Sequence, residues 1–532
     1  MTGEKLNPGS ESYFASAGPA GSAVTTASTS VGIEANLIQI EVRCTRSLSY
    51  FHIVGLTEGA ARETRVRVVS AIAGIGILLD EWAITVNLAP LDLPKSGAVL
   101  DLAIAIGVLA AIGKLPTERA RATLLLGELS LDGRVRAVRG VLPKLEGARM
   151  SDVREAILPA GNACEAGLVN DIAVWVAGDL EEVCAHLRGE RELPRAPATK
   201  FTPSECSGNG YDLSALRGHP AARRAIEVAA AGNHNLLMIG PPGGGKTLLA
   251  RMLHSILPPL TFDEAFEATA VHSVAGLLND ERGMVTSRPF RAPHHSVSEA
   301  GLIGGGEFPR PGEVSLAHHG VLFLDELAEF RRSALDALHH VLKDGRVCIA
   351  RMRTRAWFPA KPMLVSATNP CPCGYFGHPT RSCRCAPELR QRYLSRLGGA
   401  LIDRFDVHVP VAPVERDAPI SAGAGESTVA VSARVVLART AQRKRHLDSR
   451  TAGATNASLG LAELKRIAPL DSETEKLLEA TVRRLGLNAQ ASLSVLRVAR
   501  TIADLDGIPN VEMPHVTEAI GLGRMFSSAI SQ

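Results

Sequence analysis

Gly240-Pro241-Pro242-Gly243-Gly244-Gly245-Lys246-Thr247 follows a short apolar run, Leu236 to Ile239, and opens a stretch of helical composition. Glycines in such a loop let successive backbone N–H groups turn inward around phosphate oxygens, and the helix N-terminus behind them adds partial positive charge. In this context Lys246 is expected to reach the β and γ phosphates of ATP and Thr247 to offer its hydroxyl oxygen to Mg²⁺. The competing reading is a glycine-rich strand-to-helix turn with no ligand. The complete eight-residue pattern between a buried strand and a helix argues against it.

The same chemistry continues downstream. Val321-Leu-Phe-Leu-Asp325-Glu326 reads as a buried strand ending in two carboxylates, which a doubly wound sheet sets beside the phosphate loop. Asp325 is expected to hold the metal through water and Glu326 to orient or deprotonate the attacking water. Acidic residues at strand ends are common, so the pair gains its meaning from the loop before it. A third strand ends in Ser366-Ala-Thr-Asn369, where the Asn369 amide suits a γ-phosphate sensor. By itself Asn369 reads equally as a turn residue before Pro370. Leu401-Ile-Asp403-Arg404-Phe-Asp406 offers an arginine that either pairs with Asp406 or projects into a neighbouring subunit's site as a trans-acting cation. Both readings fit the spacing.

Around this centre the chain divides into segments. Residues 1–30, rich in Ser, Gly, Ala and Thr, read as a flexible leader without the basic start and apolar stretch of a secretory signal. From 31 to 189 short strands alternate with helices. Ile38, Ile40 and Val42 interleave with polar residues as in a half-buried strand, Thr57 to Gly74 reads as a helix, and Ile84 to Leu88 as the next strand. Residues 190–210 read as a linker, 211–411 as the P-loop core with helices at Pro220 to Ala231 and strands at Leu236, Val321 and Met363, 412–431 as a second linker, and 432–532 as an all-helical domain. The expected fold class is α/β throughout the first two, with a doubly wound parallel sheet in the core and a helical lid behind it.

The totals narrow the function. With 532 residues there is length for three ordinary domains, and 58 basic against 55 acidic residues leave a net charge of only +3. Any contact with DNA must therefore come from a local surface, not from a polycation. The longest apolar run, Leu102 to Gly113, is far shorter than the roughly 20 residues that cross a bilayer, so a soluble, cytoplasmic protein with no membrane partner is expected. Nine cysteines in so long a chain do not resemble a secreted disulfide framework.

Beyond these motifs, Arg291-Ala-Pro-His-His295, Leu302-Ile-Gly-Gly-Gly306, Pro309-Arg-Pro-Gly-Glu313, Ser315-Leu-Ala-His318 and Asn369-Pro-Cys-Pro-Cys-Gly374 make the chain similar, over nearly its whole length, to the ComM/YifB family of magnesium chelatase-like AAA+ ATPases. The resemblance implies ATP and Mg²⁺ at each interface of a homo-hexameric ring, with Arg404 as the arginine finger. It also implies a helicase that drives branch migration on single-stranded or branched DNA during recombination and natural transformation. Two other readings stay open: the motor subunit of a metal-inserting chelatase complex, and an ATP-dependent chaperone or protease relative. One departure stands out. Leu487-Asn-Ala-Gln490-Ala precedes Val498-Ala-Arg-Thr-Ile-Ala-Asp504, so Gln490 stands where related ATPases carry a sensor arginine, and Arg497 is the candidate to compensate.

Cys371-Pro-Cys373 and Cys383-Arg-Cys385 bring four thiols into one loop after the third strand. Four thiolates suit tetrahedral Zn²⁺, which would brace the loop. His378, between the pairs, is available as a substitute ligand for the metal, and the alternative is four reduced cysteines packing as small apolar residues. Arg381, Arg384, Arg390 and Arg392 make the region basic, as a phosphate-touching pore loop or a solvated surface would be. The N-terminal segment resembles the Lon-protease fold through Pro94-Lys-Ser-Gly97 and Gly133-Arg-Val135, but Val99 and Leu142 stand at the serine and lysine positions, so the peptidase is degenerate unless Ser96 and Lys144 form a shifted dyad. The pairs His294–His295 and His318–His319 read as packing or pore-loop residues, not as metal ligands.

Overall fold

The computed structural model describes residues 21–95, 97–204, 211–216, 219–278, 283–351, 354–412, 425–451 and 453–523. They fall into two compact units: the first holds the chain up to Lys200 together with Ser273–Met284 and Ala350–Ala356, and the second holds the rest.

The first unit is built on a seven-stranded mixed sheet, in the order Tyr50–Val54, Trp82–Ala89, Glu34–Arg46, Gly21–Val31, Thr123–Leu125, Glu155–Pro159, Ala173–Ala177. Strand Gly21–Val31 corrects the expected leader: only 1–20 lie outside the described residues, and 21–30 pair antiparallel with Glu34–Arg46 along their whole length. The Ser/Thr/Ala composition that suggested a loose tail is what a strand needs beneath a closely packed helix. Ala23 and Ala27 are buried, Thr25 donates its hydroxyl to the Ala103 carbonyl at 2.9 Å, and a Cβ at Gly107 would meet the Val42 side chain. The apolar run becomes helix Gly97–Ala111, buried on almost every side. Its one charge, Asp101, is matched by Arg67 at 2.5 and 3.2 Å, while burial still pushes the carboxyl up to about 6 against that arginine.

The expected linker 190–210 also begins later than its composition suggests. Leu193 is buried in the sheet's core, Val176 donates to the Pro194 carbonyl and Ala196 to that of Val174, both at 2.9 Å, so the chain runs on as an edge of the sheet. Residues 205–210 lie outside the described residues. For the shifted dyad, Ser96 is likewise outside them. Lys144 is buried and its ammonium donates to the carbonyls of Arg139 at 2.6 Å and Gly140 at 3.1 Å, with burial lowering its pKa to about 8.

In the second unit five parallel strands lie in the order Phe290–Arg291, Val321–Leu324, Met363–Thr368, Leu236–Ile239, Val407–Pro410. Their near-continuous apolar composition suits strands covered on both faces. The C-terminal helices share this core and are not a separate body. Helix Thr428–Ser449 begins inside the expected second linker, of which 413–424 lie outside the described residues. It lies on Pro220–Gly232, with Arg439 donating to the Ala230 carbonyl at 2.9 Å and Gln442 to that of Ala231 at 3.0 Å. Helices Ser472–Leu485, Ala489–Leu505 and Met513–Gly523 follow, and 524–532 lie outside the described residues. No described helix is long and apolar enough to cross a membrane.

Arg500 is the largest fully buried side chain of the helical part, at 1 % exposure. Its guanidinium is satisfied by Asp504 at 2.9 and 3.2 Å and by the carbonyls of Ile508 and Pro509 at 2.7 and 2.6 Å. Asp504 in turn accepts from Arg445 at 2.5 Å and Asn456 at 2.8 Å. Removing Arg500 strips the Ile508 and Pro509 carbonyls of this donor and takes the bidentate partner from the buried Asp504 Oδ1, so Arg500→Ala should destabilise the protein by about 3–5 kcal/mol. A drop in the urea midpoint on circular dichroism checks this.

Candidate nucleotide site and cysteine loop

Parallel register assembles the site. Ile239 lies opposite Thr368 and Leu324 opposite Ser366, so the residues after each strand, Gly240, Asn369 and Asp325, leave the sheet at the same edge. Gly240 donates its N–H to the Thr368 carbonyl at 3.2 Å, and a Cβ there would run into the Val411 carbonyl. Gly243 and Gly245 have φ of 83° and 79°, with open space where a Cβ would stand, so it is backbone conformation that calls for glycine at these two places.

Lys246 opens helix Lys246–Ser255, and its ammonium is turned back over the loop. It donates to the carbonyls of Gly240 at 2.7 Å and Pro241 at 3.0 Å and to Asn369 Oδ1 at 3.2 Å. Burial lowers its pKa, an effect the charges of Asp325 and Glu326 oppose. Thr247 donates its hydroxyl to Asp325 Oδ2 at 2.9 Å, and Asp325 Oδ1 accepts the Glu326 N–H at 2.9 Å. Glu326 has left-handed backbone at φ 53°, and its Oε2 lies 3.2 Å from His295 Nδ1. Cations and carboxylates thus converge at the mouth of a positive-φ glycine loop that ends on a helix N-terminus. A nucleotide triphosphate fits this cradle, and the adjacent hard oxygens of Thr247 and Asp325 fit Mg²⁺.

Arg404 lies elsewhere. Its carbonyl accepts from the Asn235 side chain at 2.8 Å, next to the N-terminal edge of the sheet, whereas the phosphate loop leaves the opposite edge. The strand between them is about 13 Å long. The pairing with Asp406 that the sequence allowed is not formed: Asp406 is buried and engaged by His234 Nδ1 at 3.1 Å and the Ser494 hydroxyl at 2.5 Å. Gln490 sits in the first turn of Ala489–Leu505, whose cap Asn488 donates to Asp403 at 3.0 Å. Arg497 donates to the Leu459 carbonyl at 2.7 Å.

The four cysteines converge as the spacing suggested. The Cys371, Cys373 and Cys383 sulfurs are 3.4–3.6 Å apart, and with Cys385 all four lie within 4.8 Å of one another. A disulfide needs about 2.05 Å, whereas sulfurs 2.3 Å from a tetrahedral zinc stand about 3.8 Å apart, so the donor set fits Zn²⁺. His378 is not among them; its Nδ1 accepts from the Thr380 and Arg381 N–H groups at 3.2 Å. Arg381 reaches the Tyr375 hydroxyl at 2.8 Å and Arg390 lies 3.9 Å from the Phe376 ring centroid, while Arg384 and Arg392 are exposed.

Sequence reasoning gave the two histidine pairs a packing, pore-loop or structural role but no partners. His295 lies beside the Glu326 carboxylate, Nδ1 3.2 Å from Oε2, a placement no local pattern signals. His318, His319 and Glu267 also meet, with His318 Nε2 and His319 Nε2 at 2.9 and 2.8 Å from Glu267 Oε2. Because His318 Nδ1 accepts the Lys361 N–H at 3.1 Å, its proton sits on Nε2 and points at Glu267. That is a hydrogen-bonded brace, in line with the structural role expected for this pair.

Sheet, loop and acidic strand end together define a P-loop protein of the AAA+ type. The family model for magnesium chelatase subunit ChlI matches residues 212–418, that for its C-terminal part 425–522, and a further ChlI model 40–162. Competence protein ComM of Haemophilus influenzae is 41 % identical over 94 % of this chain and 97 % of its own length. YifB of Escherichia coli is 40 % identical over 92 % of the chain and 94 % of its own, and Lon protease 2 of Bacillus subtilis is 32 % identical over 18 % of the chain and 17 % of its own. The chain belongs to the ComM/YifB family of magnesium chelatase-like proteins.

If the cysteine loop holds zinc, protein purified without chelator should carry one zinc per chain by plasma mass spectrometry, and Cys383→Ser with Cys385→Ser should abolish it. Wild-type protein without zinc counts against the assignment.

Proposed function

We propose that this protein is an ATP-dependent DNA translocase that works as a hexameric ring and promotes branch migration in homologous recombination, including integration of DNA in natural transformation. The observation that carries the ATPase half is the convergence of Lys246, Thr247, Asp325, Glu326 and Asn369 at one sheet edge around the Gly240–Gly245 loop. The DNA half rests on similarity to a relative named as a competence protein, along almost the full length of both chains.

In this reading the loop N–H groups and Lys246 bind the β and γ phosphates, and Asn369 senses the terminal one. Thr247 and Asp325 hold Mg²⁺, which when bound neutralises developing phosphate charge. Glu326 takes a proton from the attacking water. Arg404, at the far edge of its own sheet, serves the site of the next subunit, where a cation in trans stabilises the charge that builds up on transfer. The basic cysteine loop is a candidate contact for the DNA backbone. Burial of Lys144 between two carbonyls, with Val99 and Leu142 at the peptidase positions, favours this over the protease reading.

ATP turnover with and without single-stranded and forked DNA tests the proposal. DNA should stimulate turnover. Lys246→Ala should abolish nucleotide binding, and Glu326→Gln should retain ATP while slowing hydrolysis by about 10²-fold or more. Turnover indifferent to DNA would count against the translocase, and casein degradation would revive the protease alternative. Arg404→Ala should suppress turnover while leaving nucleotide affinity near wild type, and mixing it with Lys246→Ala should restore some activity if the arginine works in trans.

A further inference from the structure

We infer that the N-terminal end of helix Ala489–Leu505 holds Arg404 in position for the neighbouring subunit's site, with Asn488 and Ser494 as positioning residues; this rests on the reading of Arg404 as a trans-acting cation given above. In sequence Arg404 stands between two carboxylates, Asp403 and Asp406, and each is engaged from that helix end. Asn488 donates its side-chain amide to Asp403 Oδ2 at 3.0 Å, and Ser494 donates its hydroxyl to Asp406 Oδ1 at 2.5 Å. From the other side the core holds the same segment. Asn235 donates to the Arg404 carbonyl at 2.8 Å, its Oδ1 accepts the Leu364 N–H at 2.8 Å, and its own carbonyl accepts the Asp406 and Val407 N–H groups at 3.1 Å.

The segment needs that hold because little else gives it shape. It begins at Gly398, in left-handed backbone at φ 65°, and at both Gly398 and Gly399 a Cβ would meet open space. The helix that follows, Gly399–Ile402, is a single turn, too short to stand without outside support. A cavity of about 450 Å³, lined by Ile402, Leu487 and Ala491 among others, lies where side chains would otherwise pack the segment against helix Ala489–Leu505. Asp403, Asp406 and Ser494 line it too, so polar bonds span a space that packing leaves unfilled. Asn488 is oriented for this task by its second bond: its Oδ1 accepts the Ala491 N–H at 2.8 Å as the helix cap, which turns its Nδ2 toward the carboxylate.

Engaging the two carboxylates has a chemical consequence beyond geometry. Asp403 and Asp406 are the acids closest in sequence to the Arg404 guanidinium, and either one, left free, competes with a phosphate for it. Asp406 is committed to Ser494 and, through Oδ2, to His234 Nδ1 at 3.1 Å, and Asp403 is committed to Asn488. Among the described residues Arg404 forms no ion pair. Its charge is left for a phosphate outside its own chain, which a guanidinium meets with paired N–H donors. Gln490 lies two residues beyond Asn488, so the helix end that stands where related ATPases carry a sensor arginine also carries the hold on Arg404, and a shift of that end reaches the next subunit's site.

The test is steady-state ATP hydrolysis by full-length wild type, Arg404→Ala, Asn488→Asp and the double variant Asp403→Asn with Asn488→Asp, with a melting curve for each. Aspartate at 488 still caps the helix but sets a carboxylate against Asp403, and the double variant exchanges donor and acceptor and restores the bond. The proposal expects kcat about 10-fold or more lower in Asn488→Asp with KM for ATP within about twofold of wild type, and recovery of most of the loss in the double variant. Mixed with Lys246→Ala, whose Arg404 is intact, Asn488→Asp should regain turnover; mixed with Arg404→Ala it should not. Wild-type turnover in Asn488→Asp overturns the inference, as does a double variant as slow as the single one. So does an Asn488→Asp protein that Lys246→Ala fails to rescue where it rescues Arg404→Ala, which would place the damage in its own site. If Arg404→Ala hydrolyses ATP like wild type, the reading of Arg404 fails and this inference fails with it. An inactive Arg404→Ala beside Asn488→Asp at the wild-type rate overturns the inference alone.

Discussion

Parallel pairing of Leu236–Ile239 with Met363–Thr368, and of that strand with Val321–Leu324, is the constraint on which the rest depends. Each strand is buried and almost wholly apolar, so its face-to-face position is fixed by packing, and the ladder fixes its register along the strand. Once the strands point the same way, three loops distant in sequence must emerge side by side. The glycine loop, the acidic pair and Asn369 then need only short-range hydrogen bonds to form one polar cluster. A shift of one residue in the central strand would turn the outward position of Asn369 over and part it from Lys246, 3.2 Å away.

Local order is what made this centre legible in the sequence. A phosphate loop, an apolar run ending in Asp-Glu, and a strand ending in Asn each announce themselves within eight residues, and the doubly wound topology brings them together without further information. The four cysteines were legible for the same reason, since two short pairs on one loop can meet whatever the rest of the chain does. His295 was not. Its meaning depends on the edge strand Phe290–Arg291, only two residues long, and on a loop whose path is set by the contact between Arg291 and Glu313, so its neighbours in sequence say nothing about Glu326. Strand Gly21–Val31 was missed for a different reason: small and hydroxylated residues mark disorder in isolation, yet beneath helix Gly97–Ala111 they are the residues that allow close approach and return a hydrogen bond.

The same cluster has the polar economy of a site that closes on itself. Lys246 spends its donors on two loop carbonyls and Asn369, and Thr247 donates to Asp325. Lys246, Asn369, Thr247 and Asp325 are the groups that the proposed chemistry assigns to phosphate and metal, so binding exchanges one satisfied arrangement of them for another. The cysteine loop begins directly after Asn369, with Cys371 buried, so a brace on that loop also steadies the end of the strand that carries the amide.

Among the described residues, Lys246 is the cation whose contacts place it over the phosphate loop. Gln490 brings no charge where related ATPases have an arginine, and Arg497, the nearest substitute in sequence, is committed to the Leu459 carbonyl and to the field of the buried Asp406. Arg404 is separated from its own phosphate loop by the length of a strand, about 13 Å, which no rotamer of one side chain closes without leaving the Asn235 corner that fixes its backbone. Phosphoryl transfer spreads negative charge over the terminal oxygens, and in the proposed site Lys246 is the side-chain cation set against it, beside the Mg²⁺ that Thr247 and Asp325 would hold. In the proposed ring that deficit is met only at an interface, so hydrolysis is tied to assembly: the missing charge in the lid makes each site depend on its neighbour more strongly than in a motor that carries both arginines.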